Sequence, residues 1–482
     1  MQPAFIRAEY DTDALVSAKL EADMRTALLL LVGLVAGVPA PSQDVNFTTL
    51  YSFQGGADGS MRGGFYGPMP TGVTLGKNGR LYGTTYAGGT NSSGTVFELS
   101  PAGGGTWAKT VLHDFSGPDG AYPDADLVFG TNGTLYGTTQ GGGSSNNGGT
   151  VFRLVPPAAP GGTWTETVLH SFNGLWNSQH TPYGGVIVGA SGALYGTTYA
   201  NWCFECGPDG GGNVAGGTVF MLTPPSQPGG AWALHTILNM ETNSVGAGPL
   251  AGVIPYGGAL YGTTWGDGGC GTAYELSPPA VKGGAWTATA IHNFGGSGDG
   301  CNPEAPLRAG PGGVLYGTTS FGGSGGGCPQ AGMGGCGVVF QLMPPATLGG
   351  TWTYTVIYSF SGANGDGSRP GDGPLLVGGN GVLYGTTECG GNGTTAAYPC
   401  AFDAVTGSGV VFSLTPPTTP GGAWSEKILH SFTGGAPDGA APVAGLTLGP
   451  DGVLYGTTTG GLYFTTPGGG GTKSGTVFSI KP

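Results

Sequence analysis

The 482 residues carry 14 Lys and Arg against 27 Asp and Glu, a formal net charge of −13, together with 105 glycines. So acidic a chain, with no basic patch to neutralise phosphates, excludes nucleic acid and an anionic membrane surface as partners. The glycines follow no period of three, which excludes collagen, and they cluster in loops between short β-branched and aromatic runs, where they serve turns.

The first element along the chain is an apolar run over residues 27–40, with Arg25 just before it. At 14 residues it is too short for a comfortable membrane span and suits the core of a signal peptide. Residues 1–40 are read as a removed signal peptide, with Met24 as the alternative start because Met24-Arg25 opens such a segment better than the acidic stretch before it. No later stretch is apolar for long enough to span a bilayer. A secreted or cell-surface protein is expected, with no membrane contact once the signal is removed.

Residues 41–482 form the second region, organised by one phrase. Leu-Tyr-Gly-Thr-Thr begins at Leu81, Leu135, Leu194, Leu260, Leu315, Leu383 and Leu454, seven copies spaced by 54 to 71 residues. A repeat of that period signals a propeller, solenoid or array. The unit from Phe115 to Phe172 shows its parts in order. An Asp119-Gly120 turn and Pro123 lead to a short apolar strand over residues 127–129, and an Asn132-Gly133 turn leads to the second strand, residues 135–139. A glycine-rich loop separates this from a third strand at residues 150–154, and a Pro-Pro and Gly-Gly connection precedes a fourth at residues 164–172. A period of two places Val168, His170 and Phe172 on one face of the fourth strand, with Leu169 and Ser171 on the other. Gly137, in a strand interior, implies close approach of a neighbouring chain or sheet.

Seven such units predict an all-β fold, a seven-bladed β-propeller of four-stranded antiparallel blades. A β-helix would have shorter rungs, and independent domains of this size would lack staples. Residues 47–53 match a fourth strand, whereas residues 475–480, at the other end, match a third. An N-terminal strand completing the last blade would close the ring and remove its open edge.

In this register the loops joining second to third strands share a face with those joining one blade to the next. The former vary most, with offsets of 7 to 22 positions from the last Thr of the phrase to the Gly before the third strand. All eight cysteines fall on this face. Cys203 with Cys206, Cys328 with Cys336, and Cys389 with Cys400 suit short staples, which leaves Cys270 and Cys301 for a longer link. Cys203-x-x-Cys206 also admits zinc, although no second pair of matching spacing stands beside it. The same face holds Trp176, Tyr199, Trp202, Phe204, Trp265, Phe321, Tyr398 and Tyr463, aromatics that suit sugar rings or protein surfaces when exposed and cover loops when folded back. His180, near Trp176, joins the candidate ligand contacts.

His113, His170, His292 and His430 share one repeat position on the fourth strand. Equivalent positions are spread around a propeller rim and cannot converge on a metal, so a packing or hydrogen-bonding role is expected. Asp58, Asp119, Asp299, Asp366 and Asp438 each open an Asp-Gly pair after a fourth strand, where a carboxylate caps a turn or, alternatively, donates to Ca²⁺. No other cofactor is implied. No Gly-x-Ser-x-Gly stands in the strand-turn-helix context of a nucleophile elbow, no His-Glu-x-x-His occurs, and glycine-rich runs such as residues 141–143 lack the Lys and Thr or Ser of a phosphate loop. Glu205, Glu241, Glu304 and Glu388 would serve glycoside chemistry only if two of them stood about 5 to 9 Å apart.

The wording Gly-x-Leu-Tyr-Gly-Thr-Thr, then Gly-Thr-Val-Phe, then Trp with Val-Leu-His-Ser-Phe, carried over residues 45–480, resembles the GloVer-type tandem-repeat family of exported bacterial proteins with assorted surface anchors. The resemblance implies export and carries over no catalytic residues. The sequence closes at Pro482 without an apolar sorting tail, from which release is expected. The functional expectation is a secreted, monomeric binding or scaffold propeller that recognises an extracellular glycan or protein. A polysaccharide-processing hydrolase or lyase, and a structural envelope or matrix protein, are the alternatives.

Overall fold

The structure is a computed structural model that describes residues 47–60, 72–144, 146–159, 161–174, 181–199, 216–227, 229–240, 245–266, 269–281, 283–296, 298–326, 328, 334–347, 350–370, 373–393, 400, 405–419, 421–434, 437–459 and 475–482. Seven four-stranded antiparallel sheets follow one another around a ring, six of them with their strands in sequence order. Blade two, for example, consists of Val128–Phe129, Leu135–Thr139, Thr150–Val155 and Thr165–Ser171. Blade seven is assembled from both ends of the chain: Thr447–Leu448, Leu454–Thr458 and Thr476–Ile480 take Phe47–Ser52 as their outer strand. The closed ring leaves no sheet edge between first and last blades. Among the described residues no helix is long and apolar enough to cross a membrane.

The repeated phrase spends each of its five residues on a separate contact. Its Leu is buried in the core of every blade. Its Tyr reaches the next blade, where Tyr82 meets Trp164, Tyr136 meets Trp232 and, across the closure, Tyr455 meets Trp107, with ring centroids 6.1 to 6.3 Å apart. Its Gly leaves room for an aromatic ring on the third strand: a Cβ on Gly137 would stand 2.6 Å from Phe152 Cζ. The close approach expected at this glycine is real, but it comes from the cross-strand partner within the same blade rather than from another chain or sheet. The first Thr donates to a carbonyl of the following blade in at least four copies, including Thr138 to Gly184 at 3.3 Å, Thr197 to Ala251 at 2.9 Å and Thr386 to Ala444 at 3.0 Å, whereas the buried Thr84 and Thr318 hydroxyls find no partner among the described residues. The second shares a hydroxyl contact with the third strand, as in Thr139 and Thr150 at 2.9 Å.

The hydrophobic cores lie between blades. Val151, Leu169 and Phe172 of blade two pack with Val186, Leu194, Phe220 and Leu222 of blade three, and Phe53 and Val477 of blade seven pack with Leu81, Phe97 and Leu99 of blade one. No blade therefore buries its apolar face alone. The fourth strand departs from strict alternation. Its pairing with the third slips between Val151 and Phe152, which face His170 and Val168 and leave Leu169 as the extra residue of a β-bulge. Leu169 thereby joins Phe172 in the core, on which the period of two had placed it opposite.

Candidate ligand-binding face

The loop that enters each of blades two to seven carries a proline, and the residue before it takes a left-handed backbone. Tyr122, Thr181, Asn302, Arg369 and Ala441 have φ between 50° and 63°, an uncommon state for residues with a Cβ. Hydrogen bonds hold each one in place. The Tyr122 N–H donates to Ser93 O of the preceding blade at 2.8 Å and the Tyr122 carbonyl accepts from Gln140 N–H at 3.0 Å; the Arg369 N–H and carbonyl do the same with Cys336 O at 2.9 Å and Glu388 N–H at 3.1 Å. The proline packs on the Gly before the preceding blade's third strand, so that a Cβ on Gly271 would lie 2.8 Å from Pro303 Cδ. Strain maintained by surrounding structure is characteristic of sites with a task. Here it fixes a ring of side chains around the channel mouth.

Five groupings occupy that ring. Tyr86 and Tyr122 stack with centroids 5.1 Å apart, and Tyr122 is 39 % exposed. Tyr183 meets Tyr199 edge-on at 5.4 Å. Trp265 Nε1–H donates to Glu304 Oε1 at 2.9 Å, while the Ser320 hydroxyl donates to Glu304 Oε2. The Arg369 guanidinium lies 4.9 Å above the Phe321 ring and 3.6 Å from Glu388. The Gln140 side-chain amide donates to Asp124. Below Tyr183 and Glu304 the channel opens into a cavity of about 260 Å³ whose wall includes Asp126 and Arg308. A larger groove of about 1470 Å³ lies on the opposite face between blades one and two. Its Arg80 and Glu98 are paired at 2.7 Å, and its Tyr82 and Trp164 are engaged in the blade contact, which makes it the weaker candidate.

Of the aromatics singled out in the sequence, Tyr199 and Trp265 stand in this ring. Phe321 lies beneath Arg369, only 8 % exposed, as a floor rather than a contact surface. Trp176, His180, Trp202, Phe204, Tyr398, Tyr463, Glu205, Glu241, Cys203 and Cys206 lie outside the described residues. Disulfides join Cys270 to Cys301, Cys328 to Cys336 and Cys389 to Cys400. The first ties a loop of blade four to the entry of blade five, beside the Asn302 clamp, and the other two close loops of blades five and six. Glu304 and Glu388 are already engaged by Trp265, Ser320 and Arg369.

The five Asp-Gly aspartates form a second pattern, at the seams between blades. Asp119 accepts the Ser116 N–H at 2.8 Å and lies 3.0 Å from His113 Nε2. Asp299 accepts from Gly295 N–H at 2.7 Å and pairs with His292 at 3.1 Å, and Asp438 accepts from Thr433 N–H at 2.7 Å and pairs with His430 at 2.7 Å. Asp58 accepts from Gln54 N–H and the Tyr51 hydroxyl, both at 2.7 Å, and Asp366 from the Ser361 N–H and hydroxyl at 2.7 Å. Each carboxylate thus caps its turn, and four of them also take the hydrogen-bonding group of the outer strand's repeat position. Among the described residues no three His, Cys, Asp or Glu side chains converge as a metal site. Burial pushes the Glu166 carboxyl up to about 7, with help from the Asp119 charge, and the Glu426 carboxyl likewise, with help from Asp366.

Tyr86, Tyr122, Tyr183, Asp126 and Arg308 escaped the sequence reading. The signal for them is positional: they follow the phrase, flank the recurrent proline, or interrupt an otherwise apolar column of the inner strand.

The fold is a closed seven-bladed propeller. The chain belongs to the Gloeobacter/Verrucomicrobia repeat family, whose model matches residues 40–208 and 206–462. No curated protein matches the sequence. Among solved structures it is similar to the polysaccharide lyase Uly1, at 12% identity and a TM-score of 0.46, covering 88% of this chain and 92% of that one. It is also similar to a gluconolactonase from Xanthomonas campestris, at 13% identity and a TM-score of 0.36 over 70% of this chain and 85% of that one. A carbohydrate-active enzyme of family AA12 from Trichoderma reesei matches at 14% identity and a TM-score of 0.37, covering 92% and 98%. Likenesses this distant carry nothing about chemistry.

Proposed function

We propose that this protein is an exported binding module that holds a carbohydrate across its channel mouth without turning it over. The observation that carries the reading is the ring of tyrosines and the Trp265 and Glu304 pair around a polar-floored channel. Aromatic faces cover the apolar side of a sugar ring at low entropic cost, and their polar tips take its hydroxyls. The disulfides support export to an oxidising compartment. Carboxylates held by Trp265, Ser320 and Arg369 suit fixed hydrogen-bond acceptors better than a proton-shuttling pair, which favours binding over hydrolysis or elimination. In this reading the protein is monomeric and requires no metal, so EDTA leaves binding unchanged.

Incubation of the purified protein with an immobilised glycan panel, reading both retention and released reducing or unsaturated ends, provides the test. Retention without release is expected, with loss of at least tenfold in affinity in a Tyr122→Ala, Trp265→Ala protein. Release of new ends, or no retention on any glycan, overturns the proposal.

A further inference from the structure

The inner strands of all seven blades align in register against the Tyr of the repeated phrase, which makes their channel-facing residues comparable. The position paired with that Tyr is Thr or aliphatic in six blades, as in Thr74 and Val128, and is Arg308 in blade five. Two residues earlier the chain has Gly or Pro in six units and Asp126 in blade two. Five blades build the same wall without either charge, so the framework requires neither. The two exceptions, 182 positions apart in the sequence, line one cavity.

Their surroundings leave bonding capacity directed at that cavity. Arg308 Nε donates to Leu375 O at 3.2 Å. The same bridge to a neighbouring blade is made by the Thr74 hydroxyl to Leu127 O at 2.6 Å and by the Thr447 hydroxyl to Val73 O. That bond orients the guanidinium and occupies only its inner nitrogen, while the side chain stays solvent-accessible on the channel wall. Asp126 Oδ1 accepts the Gly72 N–H at 2.7 Å, leaving Oδ2. The two groups feel each other's charge without forming an ion pair. Terminal guanidinium nitrogens form a fork that matches a carboxylate, and a neighbouring carboxylate oxygen accepts from a hydroxyl. Within a narrow channel such bonds discriminate strongly against a ligand that lacks the matching group. The cavity, small beside ligand pockets of about 300–1,000 Å³, has room for a single sugar unit.

We propose that the channel cavity binds a uronic acid unit of the glycan held at the mouth, with Arg308 taking its carboxylate and Asp126 a ring hydroxyl. This rests on the glycan reading above and names the sugar class for it. Isothermal titration of D-glucuronate, D-glucose and glycine into the wild-type protein and its Arg308→Met, Arg308→Lys and Asp126→Asn variants tests it, with melting curves run on each variant. Glucuronate is expected to bind at least tenfold more tightly than glucose or glycine. Both Arg308 variants lose that preference, the lysine because it keeps the charge but not the fork, and Asp126→Asn weakens glucuronate several-fold. If Arg308→Met does not fold, Arg308→Lys decides. Equal binding of glucuronate and glucose, tighter binding of glycine, or a preference that survives at Arg308→Lys overturns the site. Neutral glycans retained by a wild-type protein with no glucuronate preference overturn the channel site alone. A preference abolished at Arg308, in a protein that retains no polymer, overturns the mouth reading alone.

Discussion

The seam that closes the ring and the seam next to it share one geometry and opposite chemistry. Between blades seven and one, the Tyr51 hydroxyl and Lys109 Nζ meet Asp58, the lysine at 2.9 Å and only 5 % exposed. Between blades one and two, His113 meets Asp119, and the outer-strand position of Lys109 is taken by Glu166. One slot therefore holds a cation over a carboxylate at the closure and a second carboxylate at its neighbour. Glu426 fills the slot in blade six, and at two further seams it is aromatic: Tyr354 stacks on His292 and Phe47 on His430, with centroids 3.8 Å apart in each case. The slot accepts any group that covers the hydrogen-bonded pair beneath it, and the choice of group determines how the seam responds to substitution and to pH.

The closure seam is where a substitution has the largest expected effect. Burial works against the Asp58 charge, yet the Gln54 N–H, the Tyr51 hydroxyl and Lys109 together hold its carboxyl below the usual range. Lys109→Met strips the cation from a carboxylate that remains partly buried, for an expected loss of about 3 kcal/mol in urea unfolding. The reciprocal Glu166→Met, at the neighbouring seam, removes like-charge repulsion and is expected to be neutral or stabilising. Equal losses at both seams would break the comparison.

A smaller effect concerns pH at the two acidic seams. Glu166 and Glu426 ionise near 7 when folded and near 4.5 when unfolded. Between those values the native state holds protons that the unfolded chain has released, so their contribution favours the native state below about pH 4.5, declines as pH rises to about 7, and is flat above it. The full shift is discounted for solvent access, to about 1 kcal/mol for each carboxyl. Stability of the wild-type minus that of a Glu166→Gln, Glu426→Gln protein, measured by denaturant unfolding from pH 4.5 to 8, should fall by about that much per carboxyl; a flat difference refutes the assignment.

The smallest effect lies inside a blade. Tyr274 occupies a core position that is Phe in the other six blades, and its buried hydroxyl finds no partner. Tyr274→Phe is expected to raise stability by about 1 kcal/mol. A loss instead would mean that the hydroxyl has a task the apolar interior conceals.

These comparisons also show where the sequence was legible. His113, His292 and His430 were readable as non-converging because they recur at one position of the repeat, and the aspartates as turn caps because Asp-Gly follows five of the seven outer strands. The closing strand was readable because residues 47–53 repeat the wording of an outer strand at the wrong end of the chain. The bulge at Leu169 was not, since a slipped register leaves no mark on a seven-residue strand whose residues are apolar on both faces. Tyr122, Asp126 and Arg308 were invisible for a different reason. Each occurs once, and single departures from a repeat look like noise until a ring sets them on the same wall.

By itself the sequence determined a seven-bladed propeller, its closure and the face on which its units differ, because a short repeat must meet its own copy at every seam and can satisfy five contacts in only one way. Only the tertiary structure decided which differences share a site. Positions separated by 182 residues meet across one channel because closure turns sequence distance into an angle around an axis.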